Sequence, residues 1–384
     1  MTALDGARVL FVLGWADLGG AERNALMLAE QLRSGHGAYV EVFALTARDG
    51  RARKLWLERG FAWHGDDLSW GGERSHKARV LQALARRLRM ARPDVVMPFC
   101  TRPNVLCGLV WRVTGASIAV WNQQDVNPSL VFGTGTIRRA LGWTPLAIAN
   151  SVTARDFLVS DWGARPERVH VVLDDGEPPT AGEGRLAWRR RLGVAEDAVV
   201  ACMSAHLHAF KDHATLLRAW RIMLDGATGQ ATPTLVLAGR PAGAEDSLKA
   251  LAFDLELGGS VIFAGEIADV GGLLAASDIG VLSSRRESRP RAVLEYMAAG
   301  LPVVGTDIPG IREIMGEEGG RFLAPPDDAE GLAAALLELV TNPEIRRAAG
   351  SENERLARER LAASPFPEEA GALVADALER ARRR

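Results

Sequence analysis

Two carboxylates eight positions apart, Glu287 and Glu295, have the setting in this 384-residue chain that most suggests chemistry. Glu287 stands just beyond an apolar run at 279–282 (Ile-Gly-Val-Leu) that reads as a buried strand. Glu295 lies inside a helical stretch, 293–299, whose first turn can hold Pro290, where a missing N–H costs nothing. Gly300 marks the end of that helix, and Leu301-Pro302-Val303-Val304 predicts the next strand. Strand, loop, helix and strand make one βαβ unit, with a helix N-terminus at the carboxyl end of a parallel strand. Such an end gathers unpaired N–H donors and a positive dipole, which suit a phosphate. One carboxylate in the loop and one down the helix cannot form a tight pair. They suit hydrogen bonds from separate hydroxyls of one ligand, and a ligand with a phosphate centre and hydroxyls at both ends is a nucleotide sugar. Two solvated glutamates flanking a helix start would show the same spacing, so spacing alone does not decide.

The elements that position these residues follow from composition and order. A chain of this length exceeds one ordinary core and suits two domains. Apolar content of 47% with 6% aromatic residues and 40 glycines points to an α/β architecture. A formal net charge of −2 supplies no general field for nucleic acid. Cys100, Cys107 and Cys202 lack metal-ligand spacing, and a sparse, odd set fits a reducing compartment. The opening apolar run is short and follows Asp5, which reads as a first strand and not a signal peptide. No run approaches the roughly 18 apolar residues of a spanning helix. The expectation is a soluble, cytoplasmic protein.

Strands are predicted at 8–13, 40–45, 94–97, 118–121, 146–149 and 169–172, then at 199–203, 234–237, 261–263, 279–282, 303–304 and 321–323. Helical stretches alternate with them, the pattern of parallel, doubly wound sheets. After the first strand, Gly19-Gly20-Ala21-Glu22-Arg23 opens a helix to about Leu32, and the glycine pair lets backbone approach a ligand. This is not the Gly-x-Gly-x-x-Gly dinucleotide fingerprint, and the second strand lacks the terminal acid that would hold a ribose. The segment 173–184, rich in Gly, Pro and acids, reads as a linker; Asp174 and Asp175 fit a hinge better than a metal site, since no third ligand is visible. The segment 77–92 carries Lys77, Arg79, Arg86, Arg87, Arg89 and Arg92 with no acid, and its apolar residues fall on one stripe. It is a candidate for peripheral contact with the inner face of a membrane, although such helices more often pack on a core and present a solvated basic face.

The stretch 283–310, SSRRESRPRAVLEYMAAGLPVVGTDIPG, resembles the Glu-x7-Glu signature of the retaining glycosyltransferases of family 4, including its small-Gly-Leu-Pro-Val-Val continuation. The block 204–219, with Lys211-Asp212-His213 followed by Leu216-Leu217, is similar to a second motif of that family, and Gly19-Gly20 to its first loop. The resemblance implies the GT-B arrangement: two Rossmann-like, doubly wound α/β domains facing each other across a cleft. An acceptor-side domain would occupy 1–175 and a nucleotide-sugar domain 190–365, with a C-terminal helix, about 366–384, packing back on the first.

It further implies that Glu287 contacts the donor sugar and Glu295 the ribose, while Lys211 neutralises the donor pyrophosphate and Gly19 and Gly20 face the phosphates. His206 stands where the family has an arginine, a weaker phosphate partner. Ser288, Arg289, Arg291 and Ala292 complete the expected donor loop; Pro290 lacks an N–H, so its neighbours must donate. Relatives carry a histidine in a first-domain loop; none stands in the loops expected here at 99–104 and 122–127, and Asn122, Gln123 and Asp125 of the second are the candidate acceptor contacts. The implied reaction moves a sugar from a UDP- or GDP-linked donor, as co-substrate, to a hydroxyl of a glycan, glycolipid or small molecule. It keeps the anomeric configuration, needs neither cofactor nor metal, and belongs to cell-surface polysaccharide or glycolipid synthesis. A nucleotide-sugar epimerase or hydrolase on the same scaffold, or a catalytically silent sugar-nucleotide-binding subunit, are the alternatives.

Overall fold

Short runs of branched apolar residues, separated by amphipathic helices, form strands that need cover on both faces. The structure is a computed structural model, and it describes residues 2–126, 131–227, 231–316, 318–363 and 366–383. The chain divides into two compact units, Met1–Gly176 with Ser364–Arg384, and Glu177–Ala363.

In the first unit β1 (Arg8–Leu13), β2 (Tyr39–Ala44), β3 (Ala62–Gly65), β4 (Val95–Pro98), β5 (Ile118–Gln123), β6 (Leu146–Ala149) and β7 (Val169–Val171) form one parallel sheet in the order β3-β2-β1-β4-β5-β6-β7. Side chains of β1 alternate between two cores: Val9, Phe11 and Leu13 enter one, Leu10 and Val12 the other. Helices therefore cover both faces. The chain winds from β1 outward to β3, then returns to place β4 on the other side of β1. Strand order reverses there, and the reversal opens a crevice at the carboxyl ends of β1 and β4. The helix Glu368–Arg382 belongs to this unit: Ala370, Val374 and Leu378, one turn apart, bury against the same core as Leu28 and Leu32. Its Arg382 closes the contact on Asp94 at 2.9 Å.

In the second unit β8 (Val200–Ser204), β9 (Thr234–Ala238), β10 (Val261–Gly265), β11 (Ile279–Leu282), β12 (Val303–Thr306) and β13 (Leu323–Ala324) are parallel in the order β10-β9-β8-β11-β12-β13. Strand order reverses between β8 and β11. The helix Arg185–Leu192 is tied into this unit by Arg189, whose buried guanidinium donates to the carbonyls of Ala276 (3.0 Å) and Ala195 (2.9 Å) and pairs with Asp278 at 2.6 Å.

The structure departs from the expectations at several points. β3 was not anticipated: Ala62, Trp63, His64 and Gly65 are half-exposed at a sheet edge, so they form no apolar run, and only pairing with β2 makes them a strand. β13 starts at Leu323, because Arg321 and Phe322 close a helical turn, Glu318–Phe322. Asp174 and Asp175, in the expected linker and next to the unit boundary at Gly176, are buried, and Asp174 accepts hydrogen bonds from Asn24 and from Asn150 (3.3 Å). The basic segment 77–92 lies in the helix Arg74–Ala91 up to its C-cap, Arg92; there Val80, Leu84 and Leu88 are buried and Arg87 pairs with Asp66 at 2.5 Å. Among the described residues no helix is long and apolar enough to cross a membrane.

Candidate functional site

Lys211 follows β8 and Glu287 follows β11, so the two residues flank the strand reversal of the second sheet. Their side chains form an ion pair and are 18% and 12% exposed, which keeps the charges partly out of water yet open to a ligand. Local chemistry holds each in place. A single helical turn, Ala209–Lys211, ends at Asp212, whose φ of +52° reverses the chain. The Asp212 carboxylate then accepts the Thr215 N–H and caps the helix His213–Gly226. The Ser283 hydroxyl, at the end of β11, reaches the carbonyls of Lys211 (3.0 Å) and Asp212 (3.1 Å). Arg285 donates its backbone N–H to Phe210 O at 2.8 Å and its guanidinium to Asp212 (3.2 Å) and Asp327 (2.5 Å). Asp212 is the main reason the Arg285 pKa is raised above its ordinary value. The Lys211 turn and the Glu287 loop are thus stapled together.

Glycine matters at one point in this arrangement. A Cβ on Gly310 would press into the Glu287 carbonyl oxygen and lie 2.7 Å from its carbon. The backbone of the Glu287 loop rests directly on the start of the helix Pro309–Met315.

Helix Arg291–Ala298 starts one residue after Pro290, which sits at the N-cap rather than in the first turn, so Arg291 and Ala292 open the helix. Glu295 and Arg291 face each other one turn apart at 3.8 Å, both side chains 17% exposed. Arg291 also reaches Glu177 O at 3.4 Å. Ser288 and Arg289 are buried, and Arg289 points to Glu313 at 3.8 Å. The helix is pinned to β8 by Tyr296, whose hydroxyl accepts the Ser204 N–H at 2.7 Å. Burial pushes that phenol well up, so it stays neutral. His206 lies between β8 and the Lys211 turn, its carbonyl accepting from His208 N at 2.7 Å. Behind Lys211, His213 is 2% exposed and neither ring nitrogen has a hydrogen-bond partner among the described residues. Burial, with Lys211 adding to it, brings its pKa down to about 4.

In the first unit Gly19 caps the helix Gly20–His36 and donates its N–H to the Glu22 carboxylate at 3.0 Å. Asn122 and Gln123, expected in a loop, are the last two residues of β5 and are buried. The Asn122 carboxamide donates to Pro98 O at 2.9 Å, and that of Gln123 donates to Asp125. Asp125 does lie in the loop and accepts from the Thr101 hydroxyl at 2.8 Å. Asn127, at the end of the same predicted loop, falls outside the described residues. Among the described residues no three acids, histidines or cysteines gather as a metal site.

The two halves of the chain match two family models, Glycosyltransferase Family 4 over residues 18–173 and Glycosyl transferases group 1 over 197–342. Each half of the chain is thus a glycosyltransferase-family domain. Curated relatives include D-inositol 3-phosphate glycosyltransferases of Geodermatophilus obscurus, 32% identical over 256 residues, and of Saccharomonospora viridis, 30% identical over 209 residues. The first match covers 62% of this chain and 55% of the relative, the second 52% and 48%. The chain thus spans about half the length of the curated relatives it matches. Among solved structures, Anabaena Alr3699/HepE in complex with UDP and glucose superposes with a TM-score of 0.78 at 21% identity, over 92% of this chain and 95% of that one. At that identity the likeness establishes the GT-B fold. The signal for this family was legible in Glu287, Glu295 and Lys211; the residues that hold them, Ser283, Arg285 and Gly310, carry no local signal, because each acts on a segment distant in sequence.

Proposed function

We propose that this chain transfers a sugar from a UDP-linked donor to an acceptor hydroxyl with retention of anomeric configuration. The observation that carries the reading is the Lys211–Glu287 pair at the reversal between β8 and β11, where parallel α/β sheets bind ligands. A UDP-glucose complex of the structurally similar Alr3699/HepE supports uridine as the base.

Lys211 would leave Glu287 for the pyrophosphate and neutralise the charge that builds as the sugar–oxygen bond breaks. The first amides of helix Arg291–Ala298 would take part of the same charge. Glu287 would accept a hydrogen bond from a sugar hydroxyl, and Glu295 would hold the ribose. His206 would add a ring N–H donor near the phosphates. The bond from the anomeric carbon to the phosphate oxygen breaks as the bond to the acceptor oxygen forms on the same face, and the leaving phosphate takes the acceptor proton. In this scheme no side chain becomes covalently modified. The acceptor would be a glycan or glycolipid of the cell surface, met at the inner face of the membrane.

The test is UDP binding and UDP release from UDP-glucose, with wild type and Glu287→Gln. Binding by both with release lost in the variant supports the transferase reading. Binding with no release by wild type against a broad acceptor panel would leave a sugar-nucleotide-binding subunit. Equal release by both would remove Glu287 from the reaction.

A further inference from the structure

The first sheet has a reversal of its own, between β1 and β4, and the two side chains beyond those strands form an unassigned pair. Trp15, two residues after β1, is 59% exposed, although an indole of that size is ordinarily buried. Arg102, four residues after β4, places its guanidinium 5.6 Å from the Trp15 ring centroid. It donates to the Leu68 carbonyl, after β3, while its Nε is buried with no hydrogen-bond partner among the described residues. Burial pulls its pKa down, and among the described residues no carboxylate pairs with it. A half-buried cation without a counter-charge is unfavourable unless something else supplies the negative group.

We infer that Trp15 and Arg102 form a subsite for a sugar bearing an anionic group, a carboxylate or a phosphate. The open face of the indole suits the C–H face of a pyranose ring, and the guanidinium fork suits a planar carboxylate or a phosphate. The position, at the carboxyl ends of the strands flanking the reversal, is where such a sheet binds ligands. Resting on the transferase reading, this subsite holds the acceptor and makes it an acidic saccharide.

The experiment is a ligand-observed NMR titration of glucuronate, glucose 6-phosphate and glucose, with wild type, Arg102→Met and Trp15→Ala. Expected is tighter binding of at least one anion than of glucose, weakened tenfold or more by Arg102→Met, and weakened for every sugar by Trp15→Ala. Whichever anion binds more tightly tells carboxylate from phosphate. Anions that bind no better than glucose, or equally to wild type and Arg102→Met, overturn the subsite; phosphate captured by the Lys211 site would show the latter pattern. Trp15 is exposed, so Trp15→Ala keeps the test alive if Arg102→Met fails to fold. UDP titrated separately keeps the two readings distinct: lost UDP binding with anion binding intact defeats the donor site alone, and the reverse defeats only this subsite.

Discussion

Lys211 and Glu287 stand 76 positions apart in the chain and meet as one ion pair at the strand reversal of the second sheet. In this pair each neutralises the other. A donor pyrophosphate would replace the carboxylate as the partner of Lys211, freeing Glu287 for a sugar hydroxyl. Replacing Glu287 by Gln keeps the shape and removes the charge. UDP release should fall about 10²-fold or more, while UDP binding stays or tightens, because Lys211 no longer has a competing carboxylate. Calorimetry of UDP with a coupled UDP-release assay checks both halves.

Arg285 joins Asp212 and Asp327 and so steadies the turn that carries Lys211. Its side chain is 50% exposed, so Arg285→Met should alter stability by only about 1 kcal/mol or less. The expected effect is on the donor: KM for UDP-sugar rises several-fold with a smaller change in kcat, and high salt partly reproduces it in wild type. An unchanged KM would show that Ser283 and the Phe210–Arg285 backbone bond suffice to hold the turn.

Gly310 tests the support of the Glu287 loop. Gly310→Ala forces the loop backbone away, which should cost about 1–3 kcal/mol and reduce UDP release strongly. Urea unfolding reads the first and the coupled assay the second. A variant of normal stability and normal activity would mean that the loop can move without consequence.

His213 makes stability depend on pH. Its folded pKa of about 4 lies below the ordinary value of 6.5, so the unfolded chain binds the proton more readily. The stability contribution is fully present above pH 6.5 and is lost progressively as pH falls toward 4, by an amount on the order of 3 kcal/mol. His213→Leu should flatten the urea midpoint across that window relative to wild type. Parallel profiles would indicate that the buried ring is relieved in some other way.

Leu378, on the C-terminal helix, is fully buried in the first unit. Leu378→Ala should destabilise that unit by about 2–5 kcal/mol. UDP binding near Lys211 should survive, since that site lies in the other unit. Urea unfolding read together with UDP titration separates the two effects.

Much of this was legible from residues alone. The apolar runs at β1, β6, β9 and β11 announced themselves because a strand covered on both faces must be apolar along its length. Gly300 after an apolar helix marked its end for an equally local reason, its φ of +70°. Where burial and polarity disagree, sequence reading failed. Asn122 and Gln123 look like loop residues, yet they end a buried strand because Asn104, Pro98 and Asp125 satisfy their polar groups.

The sequence by itself determined which residues could do chemistry and which short elements carry them, since helix periodicity, strand runs and turn residues are properties of neighbours along the chain. The order of the strands was decided only in the tertiary structure. A strand can pair on either side of its predecessor, and the choice rests on crossovers and on which faces bury together. That order puts Lys211 beside Glu287 and Trp15 beside Arg102, two juxtapositions that no spacing along the chain contains.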